Sequence, residues 1–178
     1  MQDSTSSHPP RDKPDATTQG IDPGTSPAAS KLSSAKVKLH QSLRQYPDFP
    51  KPGILFEDIL PLFRDPQLHG TLLEALELQI SSSFGPTRKP DIIVGLESRG
   101  FLFGPALALQ LNAGFVPVRK PEKLPGPTET ASFTKEYGED HFEIQADAIQ
   151  AGQRVLIVDD IIATGIPWNK IRNPAGGN

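Results

Sequence analysis

The sequence contains no cysteine at all among its 178 residues. That excludes a disulfide scaffold and a thiolate zinc site, and it fits a reducing compartment. No apolar run approaches the roughly 18 residues needed to span a bilayer, so no membrane partner is expected. Charge of one sign is also scarce. A net charge of −3 offers no basic face for nucleic acid or for an anionic lipid surface. The N-terminus lacks the charged-then-apolar pattern of a secretory signal. Its Asp3, Asp12, Asp15 and Asp22 argue against an acid-poor transit peptide. A soluble cytoplasmic protein is the expectation.

Bulky apolar residues are nearly missing from residues 1–29, where Ile21 stands among Ser, Thr, Asp and Pro. Such a segment cannot bury enough surface to offset its ordering entropy, and a disordered tail is expected there. From Ser30 onward the pattern changes. Leu32, Ala35, Leu39, Leu43 and Tyr46 recur at helical spacing, which predicts a helix over about 31–45 stopped by Pro47. Leu68, Leu72, Leu73, Leu76 and Ile80 predict a second helix, ended by the Ser81–Ser83 and Gly85–Pro86 region. Asp91–Gly95 is a short apolar run of the buried parallel type, followed by a turn, a helix over about 101–111, and a strand over 115–118. Residues 120–140 are rich in proline, glycine and polar side chains, and a mobile functional loop is expected. His141–Ile144 is a candidate strand. Arg154–Val158 is another apolar strand, expected at the sheet centre, ending in Asp159 and Asp160. Strands alternating with helices predict an α/β fold with a doubly wound sheet.

Several short constellations carry chemistry. In Val155–Gly165, two carboxylates emerge at the C-terminal end of a strand, where open α/β sheets bind ligands. Ala163, Thr164 and Gly165 follow, small enough for backbone N–H groups to approach a phosphate. Carboxylates beside an anion site repel it unless sugar hydroxyls or a cation are also present, and a sugar phosphate presents both kinds of group. The alternative is that the two aspartates cap the next turn. Tyr46–Ile59 is a proline-set turn presenting Leu55 and Phe56, suited to a flat heterocycle or simply to the core. Gly95–Phe101 places Glu97, Ser98 and Arg99 at a strand end, where Arg99 can face a diphosphate or lie on a bland surface. Arg119, Lys120 and Lys123 form a basic cluster, able to neutralise a leaving pyrophosphate or merely solvated. Ser132–Gly138 holds Glu136 and Tyr137.

These motifs, in this order over about residues 39 to 165, closely resemble the adenine phosphoribosyltransferases of the type I phosphoribosyltransferase family. The resemblance implies a mostly parallel sheet flanked by helices, with an N-terminal hood over residues 46–59. It implies formation of AMP and pyrophosphate from adenine and phosphoribosyl diphosphate in purine salvage. Asp159 and Asp160 then hold the ribose hydroxyls, and Ala163, Thr164 and Gly165 begin the 5-phosphate cradle. Phe56 stacks on adenine, and Leu55 contacts it through its main chain. Glu97, Ser98 and Arg99 form the pyrophosphate loop, with Arg119, Lys120 and Lys123 beside it. Glu136 acts on the base, and Tyr137 helps close the lid. Magnesium is implied, carried by the diphosphate rather than by a protein site, and so is a homodimer.

After Gly165 the chain departs from that pattern. Ile166 and Pro167 replace a glycine and a hydroxyl residue, and the domain 30–165 is expected to be incomplete, followed by an unrelated tail over 166–178. Pro167 has no N–H to offer a phosphate, and Ile166 is poorly suited to positive φ. Weak turnover is therefore expected. The alternative function is a catalytically impaired relic, or a non-catalytic regulator that binds nucleotides.

Overall fold

The computed structural model describes residues 26–135 and 138–160. The chain opens with α1 (Pro27–Gln41), started by the Ser26 hydroxyl accepting from the Ala29 N–H at 3.2 Å. A serine cap followed by proline at the first helical position is a strong start signal, and it draws the helix ahead of the expected residue 31. The helix also ends early. Residues 44–46 leave it because Arg44–Pro47 (β1) pairs antiparallel with Leu55–Asp58 (β2), Tyr46 lying opposite Phe56. Local helical spacing lost to strand pairing there.

A single turn, α2 (Pro61–Arg64), leads into α3 (Pro66–Phe84). Asp65 caps α3 by accepting from Gln67 N and Leu68 N, at 2.7 and 3.3 Å. The three serines do not break this helix. It runs on to Gly85, whose φ of 88° and ψ of 151° form an extended positive-φ conformation open to glycine, and that ends it. Helix α1 packs on α3 through the Lys31–Glu74 ion pair and a 2.9 Å hydrogen bond from Lys36 to Gln79.

The sheet consists of β3 (Ile92–Leu96), β4 (Gly114–Val118) and β7 (Val155–Val158), all parallel, in the order β4-β3-β7. Helix α4 (Gly100–Leu111) is the crossover between β3 and β4. Side chains alternate across the sheet as the two-residue period requires. Ile93, Phe115, Leu156 and Val158 face α3 and α4 and pack with Ile80, Phe103 and Leu107. Ile92, Val94, Leu96, Val116, Val118 and Ile157 face the other way, against Phe142, Ile144 and Ile149.

Two expectations are corrected. The strand placed at the sheet centre, β7, is at the edge among the described residues, with Val155 exposed, and β3 is central with all five residues buried. Apolar composition marks a strand as covered on its faces and says nothing about which of its hydrogen-bonding edges is paired. The segment expected as an open loop to residue 140 is a β-hairpin from Thr128 on. Its arms, β5 (Thr128–Lys135) and β6 (Gly138–Gln145), pair antiparallel along their whole length, and the Ile144 end of β6 covers the second face of the sheet. Among the described residues, no helix is long and apolar enough to cross a membrane.

Candidate active site

The acidic pair follows β7 directly. Asp159 Oδ1 accepts from the Asp160 N–H at 2.9 Å, turning the backbone so that the second carboxylate points inward. The Asp160 side chain is 8% exposed, and Arg99 Nε lies 3.3 Å from its Oδ2. Burial pushes the Asp159 carboxyl above the usual range; the negative Asp160 adds to that shift, and Arg99 opposes it. The two carboxylates are therefore unequal. Asp160 has a cation beside it, whereas Asp159 is poorly solvated and gains from any hydroxyl that donates to it.

Arg99 reaches this position because α4 begins very close to the sheet. A Cβ added at Gly100 would lie 2.5 Å from the Val158 carbonyl oxygen and 3.2 Å from backbone atoms of Gly95. Only glycine allows that approach, which brings the β3–α4 loop onto the C-terminal end of β7. Ser98 and Arg99 are exposed in this loop, and the Glu97–Ser98 peptide is cis.

Glu97 turns toward β4. Its carboxylate accepts from Arg119 Nε and Nη2, each at 3.2 Å, and from the Lys120 N–H at 3.1 Å. These bonds, the Arg119 side chain first, hold Glu97 below the usual carboxylate range. Arg119 also donates from Nη1 to the Lys123 carbonyl at 3.1 Å. Lys120 and Lys123 are exposed on the same turn.

The hood hairpin is held by its own turn. Asp48 Oδ1 accepts from the Gly53 N–H at 2.7 Å, and Phe49 N donates to Ile54 O at 3.2 Å. Leu55 is 57% exposed, so it is not a core residue. Phe56 is half-buried, edge-on to Phe49 with ring centroids 5.1 Å apart. Just beyond the hairpin, Phe63 of α2 stacks on Phe103 of α4.

A phosphoribosyl transferase domain model matches residues 68–169. The adenine phosphoribosyltransferase of Yarrowia lipolytica is 59% identical over 134 residues, covering 75% of this chain and 73% of that protein. The mouse enzyme of the same name is 50% identical over 135 residues, covering 75% and 74%. A solved Saccharomyces cerevisiae adenine phosphoribosyltransferase, in complex with adenine and an imino-altritol bisphosphate, superposes with a TM-score of 0.71. It is 59% identical over 75% of each chain. This chain belongs to the adenine phosphoribosyltransferases.

Of the residues expected from sequence to form the site, the structure brings Arg99 to Asp160, and Glu97 to Arg119 and Lys120. Leu55 and Phe56 sit on the hood hairpin. Glu136, Tyr137, Ala163, Thr164 and Gly165 lie outside the described residues, as do 1–25 and the tail 166–178. A cavity of about 830 Å³ lies against β7, lined by Ile80, Phe84, Val94, Ile144 and Leu156 among others. None of the expected site residues that the structure describes lines it. Motif reasoning assigned no role to Gly100, which acts by lacking a side chain.

Proposed function

We propose that this chain transfers the 5-phosphoribosyl group of phosphoribosyl diphosphate to adenine, giving AMP and pyrophosphate. The observation that carries this reading is the meeting of Asp159 and Asp160 with Arg99 at the C-terminal end of a parallel sheet. There, carboxylates for ribose hydroxyls and a cation for the diphosphate lie side by side. In the reaction the C1–O bond to the diphosphate breaks with its electron pair, and adenine N9 forms the new bond to C1. The N9 proton passes to Glu136. Arg99, Lys120 and Lys123 meet the charge accumulating on the leaving group, so catalysis is mainly electrostatic and positional. Phe56 offers a ring face to the purine, the Leu55 main chain meets its polar edge, and Ser98 adds a donor in the diphosphate loop. Tyr137 closes over the site, and Ala163, Thr164 and Gly165 take the 5-phosphate.

Magnesium belongs to this reading. Among the described residues no group of three or more Asp, Glu, His or Cys side chains is arranged to hold a metal. Asp159 and Asp160 are a pair of hard oxygen donors, the residues that would face a cation carried in on the diphosphate. When bound, that cation lowers the charge on the leaving group. A homodimer and a cytoplasmic location come with the same reading.

The test is AMP formation from labelled adenine and phosphoribosyl diphosphate by the 178-residue chain, with Asp160→Asn as the background. AMP above that background supports the reading. Adenine binding without any AMP would replace it with the non-catalytic one.

A further inference from the structure

The turn 119–123 carries both lysines and has one bond of its own, from Arg119 Nη1 to the Lys123 carbonyl at 3.1 Å, which leaves Glu122 unfixed. Glu122 has φ of +62°, a left-handed conformation that is uncommon and costly for a residue with this side chain. The fixing group is on β6. Glu143 Oε2 accepts from the Glu122 N–H at 3.2 Å. The main chains of Glu143 and Arg119 also form an isolated antiparallel bridge, Arg119 N donating to Glu143 O at 2.9 Å and Glu143 N donating to Arg119 O at 2.7 Å. The bridge needs only a backbone. The carboxylate bond needs this side chain.

We propose that Glu143 is a positioning residue that clamps the 119–123 turn to the hairpin, so that Lys120 and Lys123 are presented together to a diphosphate. The role of those lysines rests on the function proposed above. Glu97 holds the other end of the turn, through Arg119 and the Lys120 N–H. The turn is thus gripped at its first two residues by the β3–α4 loop and at its fourth by β6. Loss of the Glu143 carboxylate leaves the backbone bridge intact and frees the left-handed residue to relax, so that Lys123 is held against Lys120 by the Arg119 bond to its carbonyl alone.

The experiment measures inorganic pyrophosphate binding by calorimetry together with steady-state kinetics. Glu143→Ala is expected to weaken pyrophosphate binding about fivefold and to raise KM for phosphoribosyl diphosphate alike, with KM for adenine and kcat within about twofold of the parent. Glu143→Gln keeps an acceptor and is expected to stay within about twofold of the parent throughout. Glycine adopts positive φ without help, so in a Glu122→Gly background the Glu143→Ala effect should shrink below about twofold. An unchanged pyrophosphate affinity in Glu143→Ala, an equal loss in Glu143→Gln, or an undiminished effect in the glycine background would each overturn the proposal. A parent chain that makes no AMP, yet loses pyrophosphate affinity on Glu143→Ala, would overturn the function reading and leave the clamp standing.

Discussion

Gly100→Ala is the sharpest perturbation of the site, because the added methyl group would meet backbone and not a side chain able to rotate away. Its Cβ would sit 2.5 Å from the Val158 carbonyl oxygen, about 0.9 Å inside ordinary contact. The start of α4 must therefore retreat by most of that distance. Arg99 Nε, now 3.3 Å from Asp160, would move toward or past 4 Å and lose its hold on the carboxylate. Overpacking of this kind costs about 1–3 kcal/mol, offset by up to about 1 kcal/mol from replacing a helical glycine. For a chain of this size, the remaining cost, up to about 3 kcal/mol, is up to about 12 °C in Tm. Turnover should fall further than stability, by about 100-fold, because a misplacement near 1 Å at a reacting centre has that effect. The measurements are thermal melting and AMP formation, beside Gly70→Ala in α3 as the comparison. Nothing lies within 4 Å of a Cβ at Gly70, so that variant should keep full turnover and gain about 0.4–1 kcal/mol. A Gly100→Ala protein with parental Tm and turnover would refute the close-approach argument.

Asp159 has its carboxyl pKa raised in the folded chain, so the unfolded chain holds fewer protons, and Asp159 lowers stability as pH rises above its ordinary range near 4. Asp159→Asn should therefore melt higher than the parent at pH 7, with the gain vanishing near pH 4, while AMP formation is lost. A lower Tm at pH 7 would contradict the burial argument. Asp91 behaves oppositely. Hydrogen bonds from the Arg154 side chain and N–H lower it to about 2. Its contribution is present above pH 4 and lost as pH falls from about 4 to about 2. Asp91→Ala should melt below the parent at pH 7 and match it near pH 2 in acid melting curves. Phe56→Ala should raise KM for adenine roughly 2- to 12-fold, the range a lost aromatic contact of about 0.5–1.5 kcal/mol predicts, and leave KM for phosphoribosyl diphosphate unchanged.

What the sequence determined by itself is the set of parallel strands, the helices between them, and the acidic pair at a strand end. The run Ile92–Leu96 is apolar at every position because both faces of the sheet are covered there, and that shows without any partner in view. Gly100–Leu111 has helix length and composition, and only its start shifts, by one residue. Pairing is a different kind of fact. Whether residues 44–46 extend a helix or join a hairpin was decided by Leu55–Asp58, which lie beyond a seven-residue turn. His141–Ile144 was legible as a strand, but whether 128–140 is a loop or part of a hairpin was decided when the two arms met. The site divides along the same line. Arg99 and Asp160 were each legible as charged residues at strand ends, but their 3.3 Å approach exists because Gly100 lets a helix sit against Val158. Arg119 was legible as a cation, and only the fold gave it Glu97 as a partner. Residue type fixes which charges a chain carries, whereas distance, and therefore which charge meets which, belongs to tertiary packing.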